Sequence, residues 1–232
     1  MLEQLLPYER PLFFLMNGSD SALMDNFMWL YSYKFTWLPL YLCLFFLFIY
    51  KYRSKQKEYI LIFVSIFFVI LICDQVASGI IKPLFHRFRP THHPDFLEQV
   101  NIVFGYRGGK YGFASSHASN AFGLATFTAL LFRNRLFSMT MFTFAAITAY
   151  SRIYLGVHFI SDVVVGALIG LVSGFLIYKV YIFTRKNLII REKNEPLIPI
   201  YNIREAVFVC GTWFSIVILT LIFNSQLVKL TL

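Results

Sequence analysis

The sequence predicts an all-α fold: a polytopic transmembrane helical bundle of about six spans, preceded by an N-terminal amphipathic helix at the membrane interface. Three observations carry this expectation. Of 232 residues, 58% are hydrophobic and 14% charged, and Phe alone contributes 27, more apolar surface than a soluble core of this size uses. The apolar residues gather into runs that approach the ~20 residues a helix needs to cross hydrocarbon. Basic residues punctuate those runs.

Taken in order, the chain opens with "MLEQLLPYERPLFF". This stretch lacks a basic cluster and a long apolar centre, so it is not read as a cleavable signal. After the turn "NGSDS" (17–21), Leu23, Met24, Phe27, Met28, Leu30 and Tyr31 recur at three-and-four spacing, with Asp20, Asp25 and Asn26 elsewhere. Residues 1–33 are therefore expected to form an interfacial amphipathic helix. Six apolar runs follow, near 35–50, 59–78, 117–132, 136–154, 161–181 and 206–226. The clearest, "YILIFVSIFFVILIC", is interrupted by Asp74 and Gln75. Residues 34–183 form the expected transmembrane core, 184–205 a polar cytoplasmic link, and 206–232 an additional C-terminal transmembrane helix.

The formal charge of +9 does not point to nucleic acid here, because the basic residues lie in loops between spans. They read as orientation signals and as partners for anionic headgroups or substrates. Lys51, Arg53, Lys55, Lys57, Arg133, Arg135, Arg185, Lys186, Arg191, Lys193 and Arg204 fall on one side, which the positive-inside rule makes cytoplasmic. Both termini, the 82–116 loop and the 151–160 turn then lie outside. Cys43, Cys73 and Cys210 all sit within apolar runs and read as small buried hydrophobes.

Three stretches on that outer side hold the unusual polar residues: "KPLFHRFRP" (82–90), "ASSH" (114–117) and "SRIYLGVHFISD" (151–162). Lys82, Arg89 and Arg152 supply three positive charges, two of them planar forks suited to phosphate oxygens. Ser115 adds a hydroxyl, and residues 115–117 precede a span, where helix N-terminal amides favour an anion. His158 and Asp162 are four apart, a spacing that places both on one helical face. There a carboxylate fixes an imidazole tautomer and raises its basicity. His117 is a second imidazole, placed to protonate a leaving oxygen. The sum is a cradle for phosphate, a nucleophile with its orienter, and an acid, with no metal or cofactor required.

Lys82…Arg89-Pro90, then Ser115-Ser116-His117, then Ser151-Arg152…His158…Asp162 resembles the type 2 phosphatidic acid phosphatase and vanadium haloperoxidase superfamily, in its integral-membrane lipid phosphatase branch. The resemblance spans roughly residues 59–181. It implies that His158 is the nucleophile and forms a phosphohistidine, that Asp162 orients it, and that His117 protonates the leaving group. It implies that Lys82, Arg89, Ser115 and Arg152 bind phosphate, with the backbone amide of Ser116 helping. Where the family usually has Pro-Ser-Gly-His, this chain has Ala114 and Ser116, which keeps the amide but adds a side chain where glycine allows close approach.

The resemblance further implies a metal-independent hydrolase of the cell or inner membrane acting on a lipid phosphate or pyrophosphate at the non-cytoplasmic face. Isoprenyl pyrophosphates such as undecaprenyl pyrophosphate, lipid A phosphates, phosphatidic acid and phosphatidylglycerol phosphate all fit, because the motifs bind phosphate and not the remainder. Membrane lipids are the other expected partners; nothing bears on oligomeric state. Two rival readings fit less well. A vanadate-dependent haloperoxidase is disfavoured by the membrane spans, and a non-catalytic lipid-phosphate binding or transport protein by the intact His117, His158 and Asp162. Outside the motifs, His92, His93 and Asp95 read as a solvated loop rather than metal ligands. "GYRGGKYG" (105–112) reads as a lid bearing Arg107 and Lys110, Asp74 as a structural partner for a neighbouring cation, and His86 and Arg87 as headgroup contacts.

Overall fold

The structure, a computed structural model, describes residues 2–189 and 201–232. Arg191 and Lys193 of the basic set lie outside the described residues. The fold is an all-α bundle: α1 (Leu6–Met16), α2 (Ala22–Ser32), α3 (Leu38–Lys51), α4 (Gln56–Asp74), α5 (Lys82–Phe85), α6 (Ser116–Phe132), α7 (Arg135–Tyr154), α8 (Ile160–Leu188), α9 (Ile203–Ile222) and α10 (Asn224–Lys229). A π-helical turn, Gln75–Ile81, joins α4 to α5 without a break, so the interruption expected at Asp74 and Gln75 is a widened turn and not an end. Such turns recur at functional sites.

Among the described residues, four helices are long and apolar enough to cross a membrane: Lys34–Lys51, Gln56–Phe85, Ile160–Leu188 and Ile203–Ile222. The expected spans at 117–132 and 136–154 are also helices, α6 and α7, but they fall outside that set. The reason lies in packing. α6 is 17 residues, about 26 Å long, and is enclosed by α4, α7 and α8. Its Ala118, Ser119, Ala121, Thr126 and Thr128 are buried against protein, so lipid does not demand apolar side chains of it.

The closest seam joins α6 to α8. A Cβ added at Gly166 would stand 2.4 Å from the Ser115 carbonyl oxygen, and one at Gly170 2.3 Å from that of Ser119. Gly174 continues the row, 2.6 Å from the Gly123 carbonyl oxygen. Small residues at every fourth position let two backbones touch, which drives association where lipid offers no hydrophobic gain. This seam sets the distance between the second and third motif segments.

The N-terminal region is two helices rather than one. Ser21 caps α2 by accepting from Met24 N at 3.4 Å. α2 buries Phe27, Met28, Leu30 and Tyr31, the stripe read from the spacing, against α7, α9 and α10. Trp213 of α9 donates to the Tyr31 hydroxyl at 3.3 Å, and Lys51 reaches Glu205 at 2.6 Å, so the C-terminal helix is tied to both α2 and α3.

Candidate active site

Each segment arrives by a specific backbone device. The first leaves α5 through His86, in the left-handed region at φ 46°, and runs extended. Arg89 N donates to Lys110 O at 3.0 Å and Gly112 N to Arg87 O at 2.9 Å, bridging Phe88 to Tyr111. The 105–112 loop is thus tied to the motif. Arg89 Nε donates to Tyr111 O at 3.1 Å, and Arg107 Nη1 donates to Thr91 O at 3.2 Å. Gly112 is needed where it stands, since a Cβ there would meet Asp162 Oδ2 at 2.8 Å.

The second segment is the N-terminus of α6. Ser115 is its cap: the buried Oγ accepts from Ala118 N at 3.4 Å, and Ser115 N donates to Asp162 O at 2.9 Å. Ser116 and His117 occupy the first turn, where backbone amides have no helical acceptor. His117 is exposed to an internal cavity.

The third segment ends α7 and turns into α8. Gly156 takes φ +73°, and any Cβ there would strike Val100 Cγ1 at 2.7 Å, so this turn requires glycine. It delivers His158 before α8 begins. His158 and Asp162 therefore do not share a helical face, as the four-residue spacing suggested. They meet because Asp162 folds back over the first turn of α8, with Oδ2 accepting from Phe159 N at 3.0 Å. The same oxygen lies 3.4 Å from His158 Nδ1.

The eight expected residues divide as follows. His158 is 1% exposed, and its Nε2 faces Arg89 Nη1 at 3.3 Å. The charges that act most strongly on it are those of Arg89, Arg152 and Lys82. The same three cations, with His158, act on His117. Lys82, Arg89, Arg152, His117, His158 and Asp162 therefore share one electrostatic neighbourhood. Ser115 and Ser116 approach it from the α6 N-terminus, but the Ser115 oxygen is turned toward its own helix. Ser151 likewise donates to Thr148 O at 2.7 Å.

Burial, then the cations Arg89, Arg152 and Lys82, hold His158 well below the ordinary imidazole value of 6.5, so it is neutral at neutral pH. Burial, then Arg152, lowers Arg89 from 12.5 to about 10; it remains charged. Among the described residues, these three cations have only neutral hydrogen-bond partners. Lys82 reaches Ser78 Oγ at 3.5 Å, Arg89 donates to the Tyr111 and Val157 carbonyls, and Arg152 to Ser32 Oγ and, at 3.1 Å, to the Tyr106 hydroxyl. Three cations around a neutral imidazole, with no carboxylate paired to any of them, make a receptor for a multiply charged anion.

Four participants were not expected. Arg87, read as a headgroup contact, is 2% exposed and pairs with Asp162 at 2.8 Å and with Glu9. Glu9, Ser32 and Tyr106 come from elements carrying no recognisable motif. His93, read as solvated, is buried and stacks on Phe96 with centroids 4.1 Å apart. Asp74 lines the cavity beside Ser116 and His117. That cavity holds about 710 Å³, and its other walls include Trp37, Leu44, Phe45, Phe63 and Ile70.

Comparison with known proteins agrees with this geometry. The chain is 46% identical over 184 residues to the lipid A 4′-phosphatase of Porphyromonas gingivalis, covering 79% of this chain and 77% of that protein. It is 35% identical over 179 residues to the lipid A 4′-phosphatase of Bacteroides thetaiotaomicron, covering 77% and 79%. The crystal structure of Aquifex aeolicus LpxE superposes with a TM-score of 0.56 at 29% identity, over 74% of this chain and 95% of that one. Residues 63–186 match the PAP2 superfamily, a region that contains every motif residue named above. The chain belongs to the PAP2 superfamily, as a phosphoric ester hydrolase of its membrane lipid phosphatase branch.

Proposed function

We propose that this integral membrane enzyme removes the phosphate from the 4′ position of lipid A through a phosphohistidine at His158. The observation that carries the substrate is the 46% identity to a lipid A 4′-phosphatase over most of both chains. The chemistry rests on the three unpaired cations around a neutral His158.

A phosphate ester seated among Lys82, Arg89, Arg152 and the first amides of α6 brings phosphorus over His158 Nε2. Asp162 faces the Nδ1 proton and keeps the Nε2 lone pair outward. That pair forms the N–P bond as the P–O bond to the sugar breaks. His117, protonated once the negative charge of the bound phosphate offsets the three cations, gives its proton to the departing oxygen, so an alcohol leaves. Neutral His117 then takes a proton from water, the water oxygen attacks phosphorus, the N–P bond breaks, and inorganic phosphate departs. The fixed cations supply most of the acceleration by meeting charge that spreads over the equatorial oxygens. The step needs no metal.

The cavity supports an amphiphilic substrate. At about 710 Å³ it falls within the range of small-molecule sites, it is mostly apolar, and Ser32, Asp74, Ser116 and His117 are among its polar lining. A tail lying there keeps its ester near His117. In this reading the basic loops on the opposite side face the cytoplasm, which supports a site on the non-cytoplasmic face of the cell or inner membrane and six spans in all. The exposed Tyr8, Leu12 and Leu15 of α1 meet the lipid interface there. In this reading, residues 1–33 form the interfacial region, 34–183 the catalytic core, and 206–232 a supporting span.

The test is phosphate release by purified protein, with chelator, from lipid A, undecaprenyl pyrophosphate, phosphatidic acid and phosphatidylglycerol phosphate. Lipid A is expected to have the highest kcat/KM, with the 4′ phosphate lost. Preference for the pyrophosphate moves the substrate to a second reading, favoured by 36% identity over 67 residues to the undecaprenyl-diphosphatase BcrC of Bacillus subtilis. Failure to release phosphate from all four overturns both.

A further inference from the structure

We propose that Arg87, anchored by Glu9 of α1, is a positioning residue that keeps Asp162 ionised and aimed at His158. The inference rests on His158 being the nucleophile, and it extends the site into a helix outside the region that carries the motifs.

The geometry is a fork between two carboxylates. Arg87 Nη1 donates to Asp162 Oδ1 at 2.8 Å and to Ser161 Oγ at 2.6 Å. Its Nη2 donates to Glu9 Oε1. The other Glu9 oxygen accepts from Ser161 N at 3.0 Å, so the acid clamps both the guanidinium and the start of α8. The guanidinium lies over the Phe159 ring, 4.4 Å from its centroid. The side chains of Arg87, Asp162 and Glu9 are 1%, 0% and 10% exposed.

The two oxygens of Asp162 divide the work. Oδ2 faces Phe159 N and His158 Nδ1, while Oδ1 is given to Arg87. A carboxylate sealed from water stays ionised only with a cation against it. Arg89 acts on Asp162 from a greater distance, but it belongs to the phosphate cradle and its guanidinium is turned to His158 and two carbonyls. Arg87 touches Asp162 directly, and among the described residues no hydrogen bond joins it to His158. Glu9 in turn holds the fork. The planar geometry needed to span two acids is particular to Arg.

The electrostatics give opposite signs for the two partners. Removing the cation makes Asp162 easier to protonate, so the acid limb of kcat/KM moves to higher pH. Removing Glu9 takes away an anion that opposes Asp162 ionisation, so the limb moves to lower pH. The charged groups in play are His158 on the preceding turn, Lys82, Arg87 and Arg89 on the first segment, and Glu9 on α1.

The experiment is the kcat/KM profile against pH for purified wild type, R87Q, R87K and E9Q on one lipid phosphate that wild type hydrolyses, with H158A as reference. R87Q is expected to lose about tenfold or more in kcat with little change in KM, and to shift the acid limb up by about one unit. R87K keeps the limb near wild type, and E9Q shifts it down by less. An unmoved limb in R87Q, whatever its rate, overturns the proposal. If R87Q does not fold, E9Q decides, and no shift or an upward shift there overturns it. Activity in H158A rejects the nucleophile assignment itself, a result distinct from either.

Discussion

Two clusters of buried charge occupy opposite ends of the same pair of helices. At the start of α4, Glu58 is fully buried. It accepts from Tyr181 at 2.6 Å and from Arg185 Nε at 2.8 and 3.0 Å, both residues lying late in α8. At the other end, Lys82 follows α4, Asp162 opens α8, and Arg89 and Arg152 close in from neighbouring segments. The first cluster sets the Glu58 carboxylate against the Arg185 guanidinium and the Tyr181 hydroxyl. The second pairs its one fully buried acid with Arg87 and leaves three cations facing a neutral histidine. Matched charge at this burial acts as a fastener, whereas unmatched charge of one sign is costly and is kept for a ligand of the opposite sign.

That contrast is open to attack from both ends. The largest expected effect is at the fastener. Glu58→Gln removes the buried negative charge that Arg185 Nε and the Tyr181 hydroxyl both donate to and costs about 3–5 kcal/mol of stability, while kcat per folded molecule stays near wild type. Thermal unfolding in detergent alongside active-site titration checks both, and a loss of kcat without a loss of stability would blur the distinction. Arg152→Lys acts the other way. Exchanging a fork for a point charge in the cradle is expected to lower kcat by about 10²- to 10³-fold with the melting temperature nearly unchanged. A melting drop as large as that of Glu58→Gln would mean that Arg152 is a fastener too.

The smallest effect, and the sharpest in sign, is the pH profile. Because burial and three cations hold His158 well below 6.5, it stays neutral as pH falls through that value. Protonation of His158 therefore sets no acid limb near 6.5, and the limb that protonation of Asp162 sets is expected below that value. An acid midpoint at or above 6.5 would mean that the cations do not act on His158 as the geometry requires.

How much of this could be read beforehand depends on chain distance. Lys82 and Arg89, or His158 and Asp162, lie within eight residues of each other, so their spacing is visible as text, and the three segments did converge. The local geometry was less legible: the four-residue interval reads as a helical face, yet Gly156 places His158 in a turn. Arg87 and Glu9 are separated by 78 positions, and no local pattern links them. Ser32 and Tyr106 reach Arg152 for the same reason without a signature of their own. The α6 and α7 helices were found as apolar runs, but how far each is enclosed by protein depends on Gly166, Gly170 and Gly174, whose row matters only once α6 is known to lie against it.

The most direct test of the central claim is to quench purified enzyme within the first turnover of a lipid phosphate and map the phosphorylated residue by mass spectrometry. The account predicts an acid-labile, base-stable phosphoryl group on His158, lost in His158→Ala. Phosphate on any other side chain, or turnover by His158→Ala at the wild-type rate, would contradict it.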